Sequence, residues 1–551
     1  MRSLLKERAA PAPTRPELLE RPRLAPDVRL HEPITEGAPW VVQRGAQQYI
    51  RVGGDMVRLL RVLDGAHDHA GLAETLGPPW TAGHVGVAVA SLRQKKLLDD
   101  GIPRRHSGTW FKFVPPLTFQ FTVLRPERLL RRLAGPIGLL AGRSGAVLGL
   151  LLAVGGLVAL AVQAPAAHRA LGEPLPLTVL LALACASVVA TALHEMGHGA
   201  VLTYHGGRPS RMGVMLFYLT PAFFCDVSDG WRLPHRRQRV QVALAGIVTQ
   251  TVIAGSAALA AAVVPSPGVR DAALVFAAST YVTSLLNALP FVKLDGYIAL
   301  MTHLDVPHLR DRTMTDARRF LARLLFGGGA YRRELPRLRW SVPFGLACMA
   351  FPLYLVALAC ALWLDLLQGT GLVGAALVVA GAGWLAYRAW AGGRALVREA
   401  TAAGARRGRL IAVWLLLAGA AAAAATLVTV PYQVTGGYVR EHGRTTLVLS
   451  DAADRQALRA GAEVALVRRG MVTRERIGTA RVDDAHAVRG TAPLSAFVPV
   501  RVGDGVPVPA YRVPVTVRGA LPDGTGTAHV AAGTRPLGEW LYLTYLAPAW
   551  R

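Results

Sequence analysis

Seven apolar stretches dominate the middle of this 551-residue chain, and each approaches the length a helix needs to cross a bilayer. They run at roughly 140–163, 176–203, 240–264, 271–292, 342–366, 371–391 and 409–430. About 20 apolar residues in a helix span a ~30 Å hydrocarbon core. Only 17% of the residues are charged, where a soluble domain carries about 25%. These observations predict a polytopic α-helical membrane protein with soluble ends, in contact with the lipid bilayer.

The loops between the stretches predict orientation. Arginines crowd three of them: Arg208, Arg211, Arg232, Arg236, Arg237 and Arg239 in 204–239, nine in 301–341 and five in 392–409. The alternate loops, 164–175 and 265–270, hold one each, and 367–370 holds none. Positive residues stay cytoplasmic, so the N-terminus is expected inside and the C-terminal region outside, in a multi-pass protein of the cell membrane. Many of the arginines behind the formal charge of +26 sit in these short loops. No nucleic-acid partner is expected, because the basic residues sit in short loops rather than on one folded face. Cys185, Cys225, Cys348 and Cys360 form no CxxC pair and imply no disulfide framework. The N-terminus has no apolar core of signal-peptide type.

Residues 1–35, rich in proline and charge, read as a flexible arm. Residues 36–105 read as a small cytoplasmic module of winged-helix type. In it VVQRGAQQYIRVG alternates like a hairpin, and MVRLLRVLDG and HVGVAVASLRQKKLLDDG are helices that stop at glycine. A membrane core spans 136–300, a basic cytoplasmic segment 301–341, and three further transmembrane helices 342–430. Residues 431–551, with runs such as TTLVLS, AEVALVRRG and YRVPVTVRG, predict a small extracytoplasmic all-β domain. The stretch 212–225, MGVMLFYLTPAFFC, is too short to cross and contains a proline. It reads as a re-entrant hairpin packed on protein.

The second stretch ends in His194-Glu195-Met196-Gly197-His198. Two histidines four apart project from one helical face and can share one Zn2+, with Glu195 placed to take a proton from water. Ionisable residues inside an apolar span are costly and usually functional, which argues against a chance match. Two histidines leave the ion one protein ligand short. His205 follows the helix end beside two glycines and reads as a solvated loop residue. Asp295 follows Pro290 and precedes Gly296, where a broken helix turns a carboxylate back into the bundle. Asp295 is the expected third ligand. Upstream, Ser279, Thr283 and Asn287 fall four apart in one polar stripe; interhelical hydrogen bonding is the plainer use of such a stripe.

HEMGH in one apolar helix, with NALPFVKLDGY about a hundred residues later, resembles the site-2 protease family of intramembrane metalloproteases. The resemblance covers 176–300 and implies that His194, His198 and Asp295 bind zinc and that Glu195 is the catalytic base. It further implies that Asn287 helps hold substrate, with the 212–225 hairpin as an edge for a substrate strand. No PDZ insert of the kind many bacterial members carry is recognisable, and the three stretches after residue 341 lie outside the family's minimal core. Residues 40–101 resemble the PqqD-like module that holds leader peptides, and 431–551 resembles the HlyD-like barrel of membrane-fusion proteins. The layout resembles the peptide zinc metalloproteases of ribosomal-peptide biosynthesis clusters.

That resemblance implies a peptidase acting on a precursor or leader peptide, in modified-peptide maturation of the bacteriocin kind, with a peptide exporter as a further partner. Two alternatives are a regulatory protease clipping an anti-sigma factor or signal-peptide remnant, and a non-catalytic export or self-protection subunit. The leader-binding-like module weighs against the first, and the intact set of His194, Glu195, His198, Asn287 and Asp295 against the second.

Overall fold

A computed structural model of the chain describes residues 20–33, 40–44, 48–99, 111–114, 118–217, 220–329, 331–369, 372–451, 453–470, 474–498, 500–501, 506–519, 521 and 523–549. Among the described residues, six helices are long and apolar enough to cross a membrane: Arg143–Val162, Leu177–Tyr204, Arg236–Val263, Pro267–Ala288, Ser341–Cys360 and Arg407–Leu427. The stretch expected at 371–391 is also helical, within Leu372–Ala402, but is not one of these six. Leu150, Leu151, Val154 and Val158, with Leu415 and Leu416, are more than half exposed. Large apolar side chains exposed along such helices are at home in lipid rather than water. The chain is a membrane protein with a separate β domain.

Its described residues gather into two compact units. The first draws on Met1–Leu150, Ala190–Gln250 and Ile298–Asp305, the second on Leu151–Val189, Thr251–Tyr297 and Val306–Arg551.

The first unit begins with a three-stranded antiparallel sheet, Val28–His31, Trp40–Arg44 and Gln48–Val52, in sequence order. Helices Gly54–Val62, His69–Leu76 and Ala82–Gln94 pack beside it, burying Val42, Leu59, Leu72, Val85 and Leu92. The outer strand lies inside the stretch read from sequence as a flexible arm, whose residues 1–19 and 34–35 fall outside the described ones. Val28 and Leu30 pack against this core, and surrounding prolines hide so short an alternation. The 212–225 segment is a true β-hairpin of Met212–Phe217 and Thr220–Cys225. It extends a sheet begun by Phe111–Val114 and Thr118–Leu124, with Thr220–Cys225 at the end of the strand order. The two strands at 111–124 were not expected from the residue pattern. Adding them satisfies backbone groups that a lone hairpin in an apolar setting would leave bare.

In the second unit, the later parts of Arg143–Val162 and Arg236–Val263 meet at glycines. A Cβ on Gly156 would lie 2.1 Å from the Gly255 Cα, and the Tyr281 hydroxyl donates to the Ala153 carbonyl at 2.7 Å. Pro267–Ala288 ends two residues before Pro290, and a new helix starts at Asp295 and runs to Leu304. The basic segment after residue 301 is largely one helix, Leu309–Phe326, packed on Ser341–Gly369. A Cβ on Gly345 would meet the Thr313 carbonyl, so only glycine allows that approach.

The β domain closes on itself. Arg444–Leu449, Thr429–Glu441, Gly524–Pro536, Glu463–Arg469, Arg474–Val482 and Pro507–Arg518 pair in that order. The last pairs back with the first, from Thr446↔Pro514 to Leu449↔Tyr511. Closure removes the free edges of an open sheet. Tyr432, Leu447, Leu466, Val482, Val513 and Val530 fill the interior. A short strap, Val500–Arg501, pairs in parallel with Leu175–Pro176 just before the helix Leu177–Tyr204, and Arg501 Nε donates to the Pro174 carbonyl at 2.8 Å.

Candidate metal centre

His194, Glu195 and His198 all lie on Leu177–Tyr204, whose apolar run of leucine, alanine and valine forms a long helix. Both imidazoles are buried, at 5% and 7% exposure, so every ring nitrogen needs a partner. The Nδ1 atoms have theirs. His198 Nδ1 lies 2.7 Å from the Val242 carbonyl, which can only accept, so this nitrogen carries the proton. His194 Nδ1 lies 3.2 Å from Gln250 Oε1 and donates to it in the same way. Both partners come from one neighbouring helix, Arg236–Val263.

With both protons on Nδ1, each Nε2 keeps its lone pair. The two Nε2 atoms face each other at 3.3 Å. Two lone pairs at this distance suit a shared cation. Two nitrogens about 2.0–2.1 Å from a tetrahedral zinc are separated by roughly 3.3–3.4 Å. The residues therefore fit zinc, and the outer hydrogen bonds are of the kind that orient metal-ligating histidines.

Gly246 explains how the second helix comes so close. A Cβ there would lie 2.4 Å from His194 Nε2 and 2.5 Å from His198 Nε2. Gly197 serves the same crossing, since its Cβ would strike Thr249 Oγ1 at 2.4 Å. Gly246 and Gln250 were missed in reading the sequence. A glutamine four residues after a glycine, inside an apolar span, is the signal that points to them.

Glu195 also contacts the hairpin. Its Oε2 accepts a hydrogen bond from the Cys225 backbone N–H at 2.9 Å, at the end of strand Thr220–Cys225. That N–H therefore points away from the hairpin partner, along the outer edge of the strand. The Cys225 thiol is pushed up to about 12 by burial and then by the Glu195 and Asp226 carboxylates. Its sulfur lies beside Gly199.

Asp295 opens the helix Asp295–Leu304, where a carboxylate favours the helix N-terminus. Among the described residues, one trio of potential metal ligands occurs. Ligand atoms of His194, His198 and Asp295 all lie within 4.8 Å of one another. Asn287 is half-buried, one residue before the end of Pro267–Ala288. Ser279 and Thr283 are exposed, and their hydroxyls donate to Phe276 and Ser279 carbonyls of their own helix. His205 bonds Gln241 Oε1 at 2.9 Å, and burial lowers the pKa of its ring.

Compared with known proteins, the chain matches no family model, no curated protein and no solved structure.

Proposed function

We propose that this chain is a membrane-embedded zinc metalloendopeptidase of site-2 protease type. The observation that carries the reading is the pair of Nε2 atoms 3.3 Å apart, each with its Nδ1 proton engaged by an acceptor. His194, His198 and Asp295 would hold the zinc. Zinc in that position supplies Lewis acidity toward water and toward a carbonyl.

The chain's own groups supply the rest. Glu195 is the proton carrier, taking a proton from the attacking water and passing it to the departing amine. Its carboxylate is held at the end of strand Thr220–Cys225, beside an edge that carries no further strand among the described residues. Such an edge accepts an extended peptide through main-chain hydrogen bonds. A substrate strand added there runs past Glu195. Asn287 is assigned to holding substrate.

The substrate we assign is a membrane-associated precursor or leader peptide, delivered by the sheet-and-helix module at 20–99, which takes the PqqD-like role. The arginine distribution favours an N-terminus inside and the β barrel outside, in the place of an HlyD-like domain next to an exporter. The test is co-expression with candidate precursors and mass measurement of the products, comparing wild type with Glu195→Ala. The expected outcome is stoichiometric zinc in both proteins, with cleavage lowered by about 10²–10⁴-fold in the variant. Undiminished cleavage by Glu195→Ala would overturn the assignment of the base.

A further inference from the structure

The loop that carries Asp295 has no regular structure between Ala288 and Asp295, yet it is held at several points. A Cβ on Gly296 would lie 2.0 Å from the Ala288 carbonyl oxygen, so the chain doubles back on the end of its own helix. The remaining contacts come from residues downstream. Arg310 Nε donates to the Phe291 carbonyl at 3.1 Å, and Arg310 Nη2 reaches the Cys348 carbonyl at 3.4 Å. The Arg310 backbone N–H donates to the Tyr297 hydroxyl at 3.3 Å. Lys293 Nζ pairs with Asp311 Oδ2 at 3.0 Å. The Phe291 ring lies against Phe344 and Phe351, with centroids 5.8 and 5.5 Å away.

We infer that Arg310, with the Lys293–Asp311 pair, is a positioning clamp for the Asp295 loop. Retention of the metal then depends on a helix and a span that lie outside the 176–300 core. Arg310 binds the loop before Asp295 through Phe291 and the helix after it through Tyr297, while its other arm is fixed to Ser341–Gly369 through Cys348. A guanidinium suits this role, because its fixed fork serves two carbonyls at once. Charged partners also make these hydrogen bonds stronger than neutral ones. The clamp rests on the zinc reading above, and it places Arg310 in a positioning role rather than in contact with metal or substrate.

The experiment uses the full chain purified in detergent, with Zn2+ affinity measured by chelator competition and the visible spectrum of the Co2+-loaded protein as a second readout. Arg310→Met should weaken zinc about 10-fold, on the scale of outer-shell partners, and shift the Co2+ spectrum toward that of Asp295→Ala. Arg310→Lys, which keeps one donor, should recover part of the loss. In an Asp295→Ala background, Arg310→Met should change zinc affinity by less than about twofold, because the clamp acts through that carboxylate. An equal loss in both backgrounds, or no loss in either, overturns the clamp. Lys293 and Asp311 are about half exposed, so their variants are expected to fold even if Arg310→Met does not accumulate. Lys293→Asp and Asp311→Lys should each weaken zinc roughly threefold, and the double swap should restore it. Unchanged affinity in both single variants overturns the pair's part. Stoichiometric zinc in His194→Ala identifies a different failure, that of the metal site itself.

Discussion

The histidines and the aspartate of the candidate centre are built in different ways. His194 and His198 stand on adjacent turns of one helix, and a single neighbouring helix supplies their outer acceptors, Val242 and Gln250, and the close approach at Gly246. Asp295 stands at the start of a short helix after an irregular turn, and the contacts that fix that turn come from Arg310, Asp311 and residues of Ser341–Gly369. The first half is set by local helical geometry and one packing interface. The second depends on side chains 15 residues or more away in sequence. On the proposed zinc reading, a two-histidine platform with a separately tethered acid is a site that can lose the acid without losing the histidines.

The comparison is most sharply tested at Gly246. Gly246→Ala replaces a poor helix former with the best one, a gain of about 1 kcal/mol in helix propensity. The added Cβ, however, would fall 2.4 and 2.5 Å from the two Nε2 atoms. Zinc affinity should fall by at least about 100-fold, the upper range for losing an outer-shell partner, while circular dichroism shows the helices intact. Metal bound at wild-type affinity would show that the Nε2 atoms do not face a shared ion. Gln250 comes next. Gln250→Leu removes the acceptor for His194 Nδ1 and should weaken zinc about 10-fold. Gln250→Glu keeps an acceptor and raises imidazole basicity, so it should hold zinc within a fewfold of wild type. If both variants behave alike, the outer hydrogen bond is not orienting the ligand.

The same contrast explains what was legible beforehand. His194, Glu195 and His198 announce themselves through a four-residue spacing inside an apolar span, because helical periodicity converts spacing directly into a shared face. Pro290 and Gly296 marked the break that carries Asp295, since both residues have fixed backbone consequences. What escaped were partners joined by long-range packing. Strands at 111–124 lie about a hundred residues before the hairpin they extend. Arg310 looked like one more orienting arginine in a basic loop. The barrel's strand-rich composition was readable, but its closure through Leu449↔Tyr511 depends on a pairing across some sixty residues. The strand Val28–His31 was masked by the prolines that flank it.

His205 supplies the smallest expected effect and the cleanest check on which histidines belong to the centre. It lies just past the helix Leu177–Tyr204, at a spacing close to that of a third histidine ligand in soluble zinc proteases. Here its Nε2 meets Gln241 Oε1 at 2.9 Å and its ring lies edge-on to Tyr204. An imidazole committed to a glutamine carbonyl and partly open to solvent contributes little to metal affinity. His205→Ala should leave zinc affinity within about twofold of wild type, the scale of a partly exposed hydrogen bond, and should leave the Co2+ spectrum unmoved. Combined with Asp295→Ala it discriminates further. If zinc is lost only in the double variant, His205 substitutes for the missing carboxylate and the acid is not the primary third ligand. If Asp295→Ala alone weakens zinc and His205→Ala adds nothing, the downstream loop supplies the third ligand, and its tether on Arg310 becomes the part of the molecule that decides whether the site holds its ion.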